Sequence, residues 1–247
     1  MTQVEGRNPV YETLKRGGVM RLLVAAGSEK GKRVQEILEL AIKKEVEVEF
    51  VERAHLNNIS QTRRHQGVIA ISETPGYASL EAILERTKGE VCVVILDGVQ
   101  DPQNLGSILR TSDAAGVDAV VVPRKESVGL TATVLRVSMG GGASVPVVRE
   151  NLYPSVKLLR DEGVRLVGVD PSGIENYWDK DLTGSVAFIL GGEERGISPT
   201  LLGKCNSSIR IPMTGSIKSL NVGVSAALVL YERLRQMNKR ARGLHKG

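Results

Sequence analysis

Hydrophobic positions change their spacing near residue 80, and this change predicts two different α/β units. In the first seventy residues, MRLLVAA and GVIAIS are apolar enough to form strands, and VEVEFVE alternates like a half-solvated strand. Between them, KRVQEILELAIKKE places Val34, Ile37, Leu38 and Ile42 on one helical face. RAHLNNIS predicts a further short helix. We expect these elements to form a compact unit that ends near Ser72.

The second unit begins at Leu80 and has shorter, continuously apolar strands. VCVVIL, AVVV, SVPVV, RLVGV, VAFIL and SIRI alternate with helical segments, a pattern typical of a parallel sheet covered on both faces. The intervening ETPGYAS has the Pro, Gly and Ser content of a linker. The sequence therefore predicts one domain over residues 1–75 and a larger one over residues 80–247.

Helix boundaries can be read from capping residues. Asn8 as the cap and Pro9 at the first helical position predict a helix start, and Gly17 and Gly18 predict its end. The glycines at 140–142 follow a helical segment and precede a strand, so they indicate a helix stop.

The last predicted helix, over residues 222–238, is apolar nearly all round in its first turns, VGVSAALVLYE. A subunit interface and ordinary core burial explain this pattern equally well.

Composition narrows the function classes. Hydrophobic residues at 41% and charged residues at 25% are ordinary for a soluble protein, whereas aromatic residues at 3% disfavour base stacking as a recognition mode. A net charge of +5 tolerates a polyanionic partner without requiring one. MTQVEGRNPV lacks the pattern of a signal peptide and no apolar run is long enough for a membrane span, so a cytoplasmic protein is expected.

Metal and disulfide chemistry have little support in the sequence. Cys92 and Cys205 form no C-x-x-C motif, and the three histidines show no H-x-x-x-H spacing. We expect both cysteines to be packing residues and no metal to be bound.

Three loops that follow strands of the second unit are the candidate site. They are QDPQNLGSILR, GGEERGIS and IPMTGSIKSLN. Loops leaving the carboxyl ends of parallel strands open onto one crevice, so all three can face one ligand. No G-x-G-x-x-G fingerprint is present, which makes a nucleotide-binding oxidoreductase a remote alternative.

Each loop taken alone also has a structural interpretation. Asn104 can cap a helix that begins near Leu105, and Arg110 can be a solvated helix residue. The glycines of GGEERGIS expose backbone groups to a ligand or form a strand-to-helix turn. Ser219 and Asn221 are candidate helix caps as well as candidate ligands.

Together, the loops resemble the motifs of the SpoU, or TrmH-type, RNA ribose 2′-O-methyltransferases of the SPOUT superfamily. The motif N-x-G-x-x-x-R matches Asn104, Gly106 and Arg110, and L-G-x-E-x-x-G matches Leu190, Gly191, Glu193 and Gly196. The motif I-P-M-x-G-x-x-x-S-L-N-V matches residues 211–222. GRNPVYETL and HQGVIA resemble the ribosomal-protein-like RNA-binding domain of one subgroup, which methylates a guanosine of 23S ribosomal RNA.

The resemblance implies a fold and a cofactor. The fold is a parallel SPOUT sheet with a deep trefoil knot, preceded by a small α/β RNA-binding domain. The cofactor is S-adenosylmethionine, with contacts expected at Gly191, Gly192, Gly196, Ile211, Met213 and Leu220. Members of the family are homodimers whose sites borrow residues across the interface.

The resemblance also implies residue roles. Arg110 takes the base-like role, and Asn104, Glu193, Ser219 and Asn221 complete the catalytic set. A guanidinium keeps its charge in proteins, so stabilising the reacting hydroxyl oxygen is a more plausible role for Arg110 than simple proton abstraction.

Substrate choice stays open at this point. Arg63, Arg64 and His65 lie in the most basic loop of the first domain and are the candidate RNA contacts. Ribosomal RNA is the expected partner. One alternative is the same reaction on transfer RNA. The other is a protein that binds RNA as a ribosome assembly factor and catalyses no reaction.

Overall fold

The computed structural model describes residues 2–60, 63–72 and 76–244, and these residues form two separate sheets. The predicted linker ETPGYAS therefore falls partly outside the described residues, at 73–75.

The first sheet has four strands in the order β1-β4-β2-β3. β4 runs antiparallel to both of its neighbours, whereas β2 and β3 are parallel. The elements are β1 (Thr2–Glu5), α1 (Arg7–Arg16), β2 (Val19–Ala25), α2 (Lys32–Lys43), β3 (Glu47–Val51), α3 (Arg53–Ile59) and β4 (Val68–Ser72). β1 is an addition to the predicted elements, because its short polar sequence shows no apolar run.

Two details of the first unit differ from the predictions. Gly6, with φ 94°, occupies the cap position of α1, and Asn8 lies inside the helix, where its Oδ1 accepts a hydrogen bond from Arg33 Nε. In α2 the buried face contains Ala41, while Ile42 is 72% exposed. Val34, Ile37 and Leu38 of the predicted face pack on the core, and only Ile42 was placed wrongly, since Ala41 takes its position there. Gly17 ends α1 as predicted.

The second sheet has seven parallel strands in the order β7-β6-β5-β10-β8-β11-β9. Its strands are β5 (Cys92–Asp97), β6 (Ala119–Pro123), β7 (Val147–Glu150), β8 (Arg165–Val169), β9 (Glu175–Asn176), β10 (Val186–Gly191) and β11 (Ser207–Arg210). The predicted parallel α/β sheet is confirmed. β9, only two residues long, was not predicted. The trefoil knot stays a prediction, since strand order and pairing do not establish threading.

Helices cover both faces of this sheet. They are α4 (Leu80–Arg86), α5 (Pro102–Ala114), α6 (Ala132–Val137), α7 (Gly141–Ser144), α8 (Leu152–Asp161), α9 (Pro199–Leu202) and α10 (Val222–Leu244). Alternate residues of β5 enter opposite cores: Val94 packs with Leu105 and Ala226, whereas Val93 packs with Leu80. Burial on both faces explains why the strands are continuously apolar.

α5 begins earlier than predicted. Asp101 is its cap, with the side chain accepting from Gln103 N at 2.7 Å, and Pro102 occupies the first turn. Asn104 is therefore not a cap but a buried residue of the first turn, 8% exposed. This leaves its side-chain amide available for other partners.

The two units contact each other through the α6–α7 segment. β1 contacts α6, and α1 contacts α7. Beyond the undescribed residues 73–75, Tyr77 Oη accepts a hydrogen bond from Leu130 N at 3.1 Å, and Ala78 pairs with Val148. The second half of the predicted linker is thus attached to the second sheet.

Cys92 and Cys205 are free, and burial raises the pKa of each thiol to about 11. Among the helices that the structure describes, none combines the length and apolar character needed to cross a bilayer.

Candidate active site

The three motif loops meet at the carboxyl ends of the central strands, joined by a chain of side-chain hydrogen bonds. Asn221 Nδ2 donates to Asn104 Oδ1 at 2.8 Å, and Asn104 Nδ2 donates to Glu193 Oε1. Asn104 therefore connects loops that lie 117 and 89 residues away along the chain. The Asn104 amide uses its oxygen for Asn221 and its nitrogen for Glu193, so turning the amide over would break both hydrogen bonds.

Asn221 has a second role in the same place. Its Oδ1 accepts from Gly223 N at 2.9 Å and from Val224 N at 3.3 Å, so it caps α10. The two interpretations of Asn221 in the sequence, cap and site residue, thus describe one side chain that uses its oxygen for the helix and its nitrogen for the site.

A cavity of about 430 Å³ lies beside this chain of hydrogen bonds. All six predicted cofactor residues line it, together with Glu193, Ser219 and Asn221 of the predicted catalytic set. The six are Gly191, Gly192, Gly196, Ile211, Met213 and Leu220.

The glycines of the second loop are required by close backbone contacts. A Cβ on Gly191 would lie 1.9 Å from the carbonyl carbon of Gly196, and one on Gly192 would lie 2.3 Å from Gly98 O. Gly196 has φ 63°, in the left-handed region. Side chains at these positions would therefore clash with the backbone and force the loop out of this shape, which would disrupt the backbone wall of the cavity.

Asp97, at the end of β5, fastens both ends of the same loop. Its backbone oxygen accepts from Gly192 N at 2.8 Å, and its carboxylate Oδ2 accepts from Ser198 N, also at 2.8 Å. Asp97 was not among the predicted site residues, although it directly follows the predicted strand VCVVIL and precedes the first motif loop.

The cavity has further walls that the motifs did not indicate. Val169, Asp170 and Pro171, at the end of β8, line it, and Lys218 adds a positive charge from the third loop. Asp170 Oδ1 accepts from the backbone and hydroxyl of Ser172. The strand RLVGV was predicted, so the loop after it could have been found by the same rule.

Arg110 lies elsewhere. It is exposed on α5 and does not line the cavity. Six helical residues separate it from Asn104, which corresponds to about 9 Å along the axis and about 240° around it. Asn104 thus bonds to two residues that line the cavity, Glu193 and Asn221, whereas Arg110 does not line it.

Arg110 instead stands beside a groove between α5 and α10. Ser107 and Thr111 line one side of this groove, and Val224, Leu228 and Tyr231 line the other. Val224 and Tyr231 are 48% and 51% exposed, respectively. Residues three apart on a helix are neighbours, so Arg110 adjoins Ser107 at the edge of the groove.

The predicted RNA contacts divide between surface and interior. Arg63 and Arg64 are exposed, whereas His65 is buried at 3% exposure. The His65 ring accepts from Gly67 N at 3.1 Å and contacts Asn57 Oδ1 at 2.8 Å. Burial, followed by the charge of Arg53, lowers the pKa of His65. Its side chain supports the loop from inside and, unlike the prediction, presents no surface for RNA.

Other basic residues adjoin this loop, and sequence reasoning missed them. Arg7 donates through its backbone N to Gln66 Oε1 and through Nε to Gln66 O, both at 3.1 Å. Arg33 stacks on Tyr11, with 3.8 Å between the guanidinium carbon and the ring centroid. The first domain therefore has a basic edge formed by the start of α1, the start of α2 and the loop that contains Arg63 and Arg64.

No cluster of three His, Cys, Asp or Glu side chains suited to a metal ion occurs in residues 2–60, 63–72 and 76–244.

Comparison with known proteins matches both units to families. Residues 91–231 match the SpoU rRNA methylase family, and residues 3–78 match the RNA 2′-O ribose methyltransferase substrate-binding family. The 23S rRNA (guanosine-2′-O-)-methyltransferase RlmB of Bordetella pertussis is 41% identical over 211 residues, covering 85% of this chain and 86% of that protein. A TrmH family tRNA/rRNA methyltransferase of Staphylococcus saprophyticus is 36% identical, covering 95% and 96%, respectively.

Solved structures agree with these relatives. The SpoU methyltransferase AviRb from Streptomyces viridochromogenes, in complex with the cofactor AdoMet, superposes with a TM-score of 0.80 at 28% identity. The match covers 95% of this chain and 89% of AviRb. The three motifs, the two family matches and the shared fold lead to one conclusion: the chain belongs to the SpoU family of RNA methyltransferases.

Proposed function

We propose that this protein transfers a methyl group from S-adenosylmethionine to a ribose 2′-hydroxyl of RNA, and that the RNA is 23S ribosomal RNA, methylated at a guanosine. The observation that carries the proposal is the hydrogen-bond chain Asn221–Asn104–Glu193, which joins all three motif loops at the rim of one cavity. The relative named as a 23S rRNA guanosine methyltransferase supports the choice of substrate.

The cavity fits the cofactor. Its wall combines glycine backbone groups with apolar side chains, and the charged residues Asp170, Glu193 and Lys218 also line it. Such a wall suits a ligand with both apolar and hydrogen-bonding parts. Gly191, Ile211 and Leu220 are the proposed backbone contacts, with Met213 beside them. When bound, S-adenosylmethionine supplies a methyl group activated by its sulfonium charge.

The chain's own groups then have to orient and stabilise the acceptor. Asn104 and Asn221 hold each other, so their positions at the cavity rim are fixed before RNA arrives. Glu193 is held by Asn104, and Ser219 supports the third loop from the cavity wall. Arg110 binds the neighbouring RNA phosphate and stabilises the 2′-oxygen as it becomes negative.

The position of Arg110 supports a site shared between two chains. Because it lies at the edge of the α5–α10 groove and not at its own cavity, we propose that the protein is a homodimer that buries this groove. The exposed Val224 and Tyr231 would then be covered, and Arg110 of each protomer would complete the cavity of the other.

A mixing experiment tests the composite site. Arg110→Ala and Asn221→Asp each damage a different half, so a heterodimer of the two contains one site with both native halves. Random exchange of subunits should restore about a quarter of wild-type activity in the mixture. Activity no greater than that of the two variants measured separately would exclude a shared site.

Substrate identity is tested by mapping alkali-resistant 2′-O-methyl positions in total RNA from cells with and without the gene. The proposal predicts the loss of one guanosine mark in 23S ribosomal RNA. Loss of a transfer RNA mark would correct the substrate, and an unchanged map combined with no calorimetric binding of S-adenosylmethionine would refute the enzymatic proposal.

A further inference from the structure

Helix α7 touches the backbone that carries Arg110. Gly141 is buried, and a Cβ built on it would lie 2.5 Å from Leu109 O and 2.9 Å from Arg110 Cα. Both contacts are with backbone atoms of α5, which cannot rotate aside as a side chain can. The absence of a side chain at 141 therefore sets how closely α7 and this turn of α5 approach.

The same segment receives the first domain. α1 contacts α7, and β1 contacts α6. α6 also lies against α5 without a spacer, because a Cβ on Gly106 would be 2.6 Å from Val137 Cβ. The α6–α7 segment is thus packed between the domain that matches the substrate-binding family and the helix that bears the first motif.

We propose that Gly141 is a positioning residue for Arg110: by seating α7 directly on the α5 backbone, it fixes where the guanidinium enters the reaction. This inference rests on the proposed function, because it assigns Arg110 a part in methyl transfer.

The expected effect of a methyl group at 141 follows from the contact. An ordinary contact begins at 3.4 Å, so the helix and the turn of α5 must separate by about 0.9 Å from the 2.5 Å position. A misplacement of about 1 Å at a reacting group costs on the order of 100-fold in rate. The cavity should be unaffected, because neither α7 nor Arg110 lines it.

Gly142 offers a matched control one residue away. It is also buried in α7, and neither glycine has a positive φ, so alanine suits the backbone at both. A Cβ on Gly142 would meet side-chain atoms, Leu135 Cδ2 at 2.9 Å and Ser138 Oγ at 3.0 Å. Gly142→Ala therefore perturbs the helix without pushing on Arg110.

The test is single-turnover methyl transfer by the full chain at saturating RNA and S-adenosylmethionine. Gly141→Ala should slow the reaction by roughly 100-fold, with the Kd for the cofactor within about threefold of wild type, whereas Gly142→Ala should stay close to wild type in both. In an Arg110→Ala background, Gly141→Ala should cause no further loss, because the residue it positions is gone.

Three results would overturn the proposal: a normal rate for Gly141→Ala, an equal loss of rate for Gly142→Ala, or a further loss of rate when Gly141→Ala is added to Arg110→Ala.

If Gly141→Ala does not fold, Gly140→Ala replaces it. Gly140 has φ 108°, so alanine there must shift the turn that seats α7. The proposal is supported if Gly140→Ala lowers the rate of the wild-type protein but not the rate of the Arg110→Ala variant. Any other pattern refutes it. An inactive wild type would instead refute the proposed function.

Discussion

Substituting Asn221 with aspartate separates its two roles. Aspartate keeps an oxygen that accepts from Gly223 N, so α10 stays capped. It cannot donate to Asn104 Oδ1, which now receives a bond of 2.8 Å from the Asn221 amide. Asn104 then lies between two carboxylates, at 221 and at Glu193. Its Nδ2 faces Glu193, so its Oδ1 faces a carboxylate that has no proton to donate, and turning the amide over would only leave Glu193 unpaired instead.

The magnitudes predict that stability and activity will rank differently. Alanine at 221 loses the cap, about 1 kcal/mol, and leaves the buried Asn104 oxygen without a donor, about 1–3 kcal/mol. We expect Asn221→Ala to lose about 2–4 kcal/mol of unfolding free energy. Aspartate keeps the cap and adds a negative charge at a helix N-terminus, which stabilises by about 0.3–1 kcal/mol. Asn221→Asp should therefore be more stable than Asn221→Ala by at most about 1–2 kcal/mol, because repulsion between the new carboxylate and Asn104 Oδ1 reduces this gain.

Activity should not follow that order. The new carboxylate competes with Glu193 for the Asn104 amide, whereas alanine leaves that contact in place, so Asn221→Asp should be no more active than Asn221→Ala. Denaturant unfolding and single-turnover methyl transfer to a 23S ribosomal RNA transcript measure the two rankings. Asn151→Asp is the control: Asn151 caps α8 by accepting from Tyr153 N, and this substitution should preserve both quantities. Activity that falls in proportion to stability would show that Asn221 is only a cap.

Further predictions concern three other residues. Arg110→Ala should lower methyl transfer by about 100-fold or more while leaving the Kd for S-adenosylmethionine unchanged in calorimetry, because Arg110 does not line the cavity; weakened cofactor binding would contradict its placement. Asp97→Ala removes the acceptor for Ser198 N and should raise the cofactor Kd by about five- to tenfold, with Asp97→Asn closer to wild type. Equal effects of the two substitutions would argue against a loop fastened by hydrogen bonds. Because burial lowers the pKa of His65, the neutral ring stabilises the first domain above pH 6.5, and stability should fall as the pH drops below that value. His65→Gln should flatten this dependence in thermal unfolding measured across pH.

The sequence predicted most strands and helices of this fold because their signals are local. The apolar runs of the second sheet reflect burial on both faces, and Gly17 ends α1 through its own backbone freedom. β1 and β9 were missed because each depends on a distant partner, Ser72 for Thr2 and Ile209 for Glu175. No local pattern encodes such pairing.

Helix starts were harder, because two candidate caps competed at each. At α5 both Asp101 and Asn104 can cap, and the aspartate before Pro102 prevails because proline is suited to the first turn. At α1 a glycine with φ 94° takes the position that Asn8 was expected to hold. In both cases the displaced asparagine makes tertiary hydrogen bonds instead, with Glu193 and Asn221 for Asn104 and with Arg33 for Asn8.

The first motif shows why residue types could be predicted when their directions could not. N-x-G-x-x-x-R reads as a single site along the sequence, but successive helical residues turn by about 100°, so its three members point to different places. Asn104 meets the other two loops, Gly106 lets α6 approach, and Arg110 stands over α7 beside the α10 groove. The motif thus combines a residue that bonds to the other two motif loops, a packing residue and an exposed arginine, for which we propose a role in the site of a second chain. The spacing of the motif reflects the three different parts of the structure that α5 contacts. Because α5 already begins at Pro102, all three motif residues lie within the helix, and the direction of each side chain follows from its position along it.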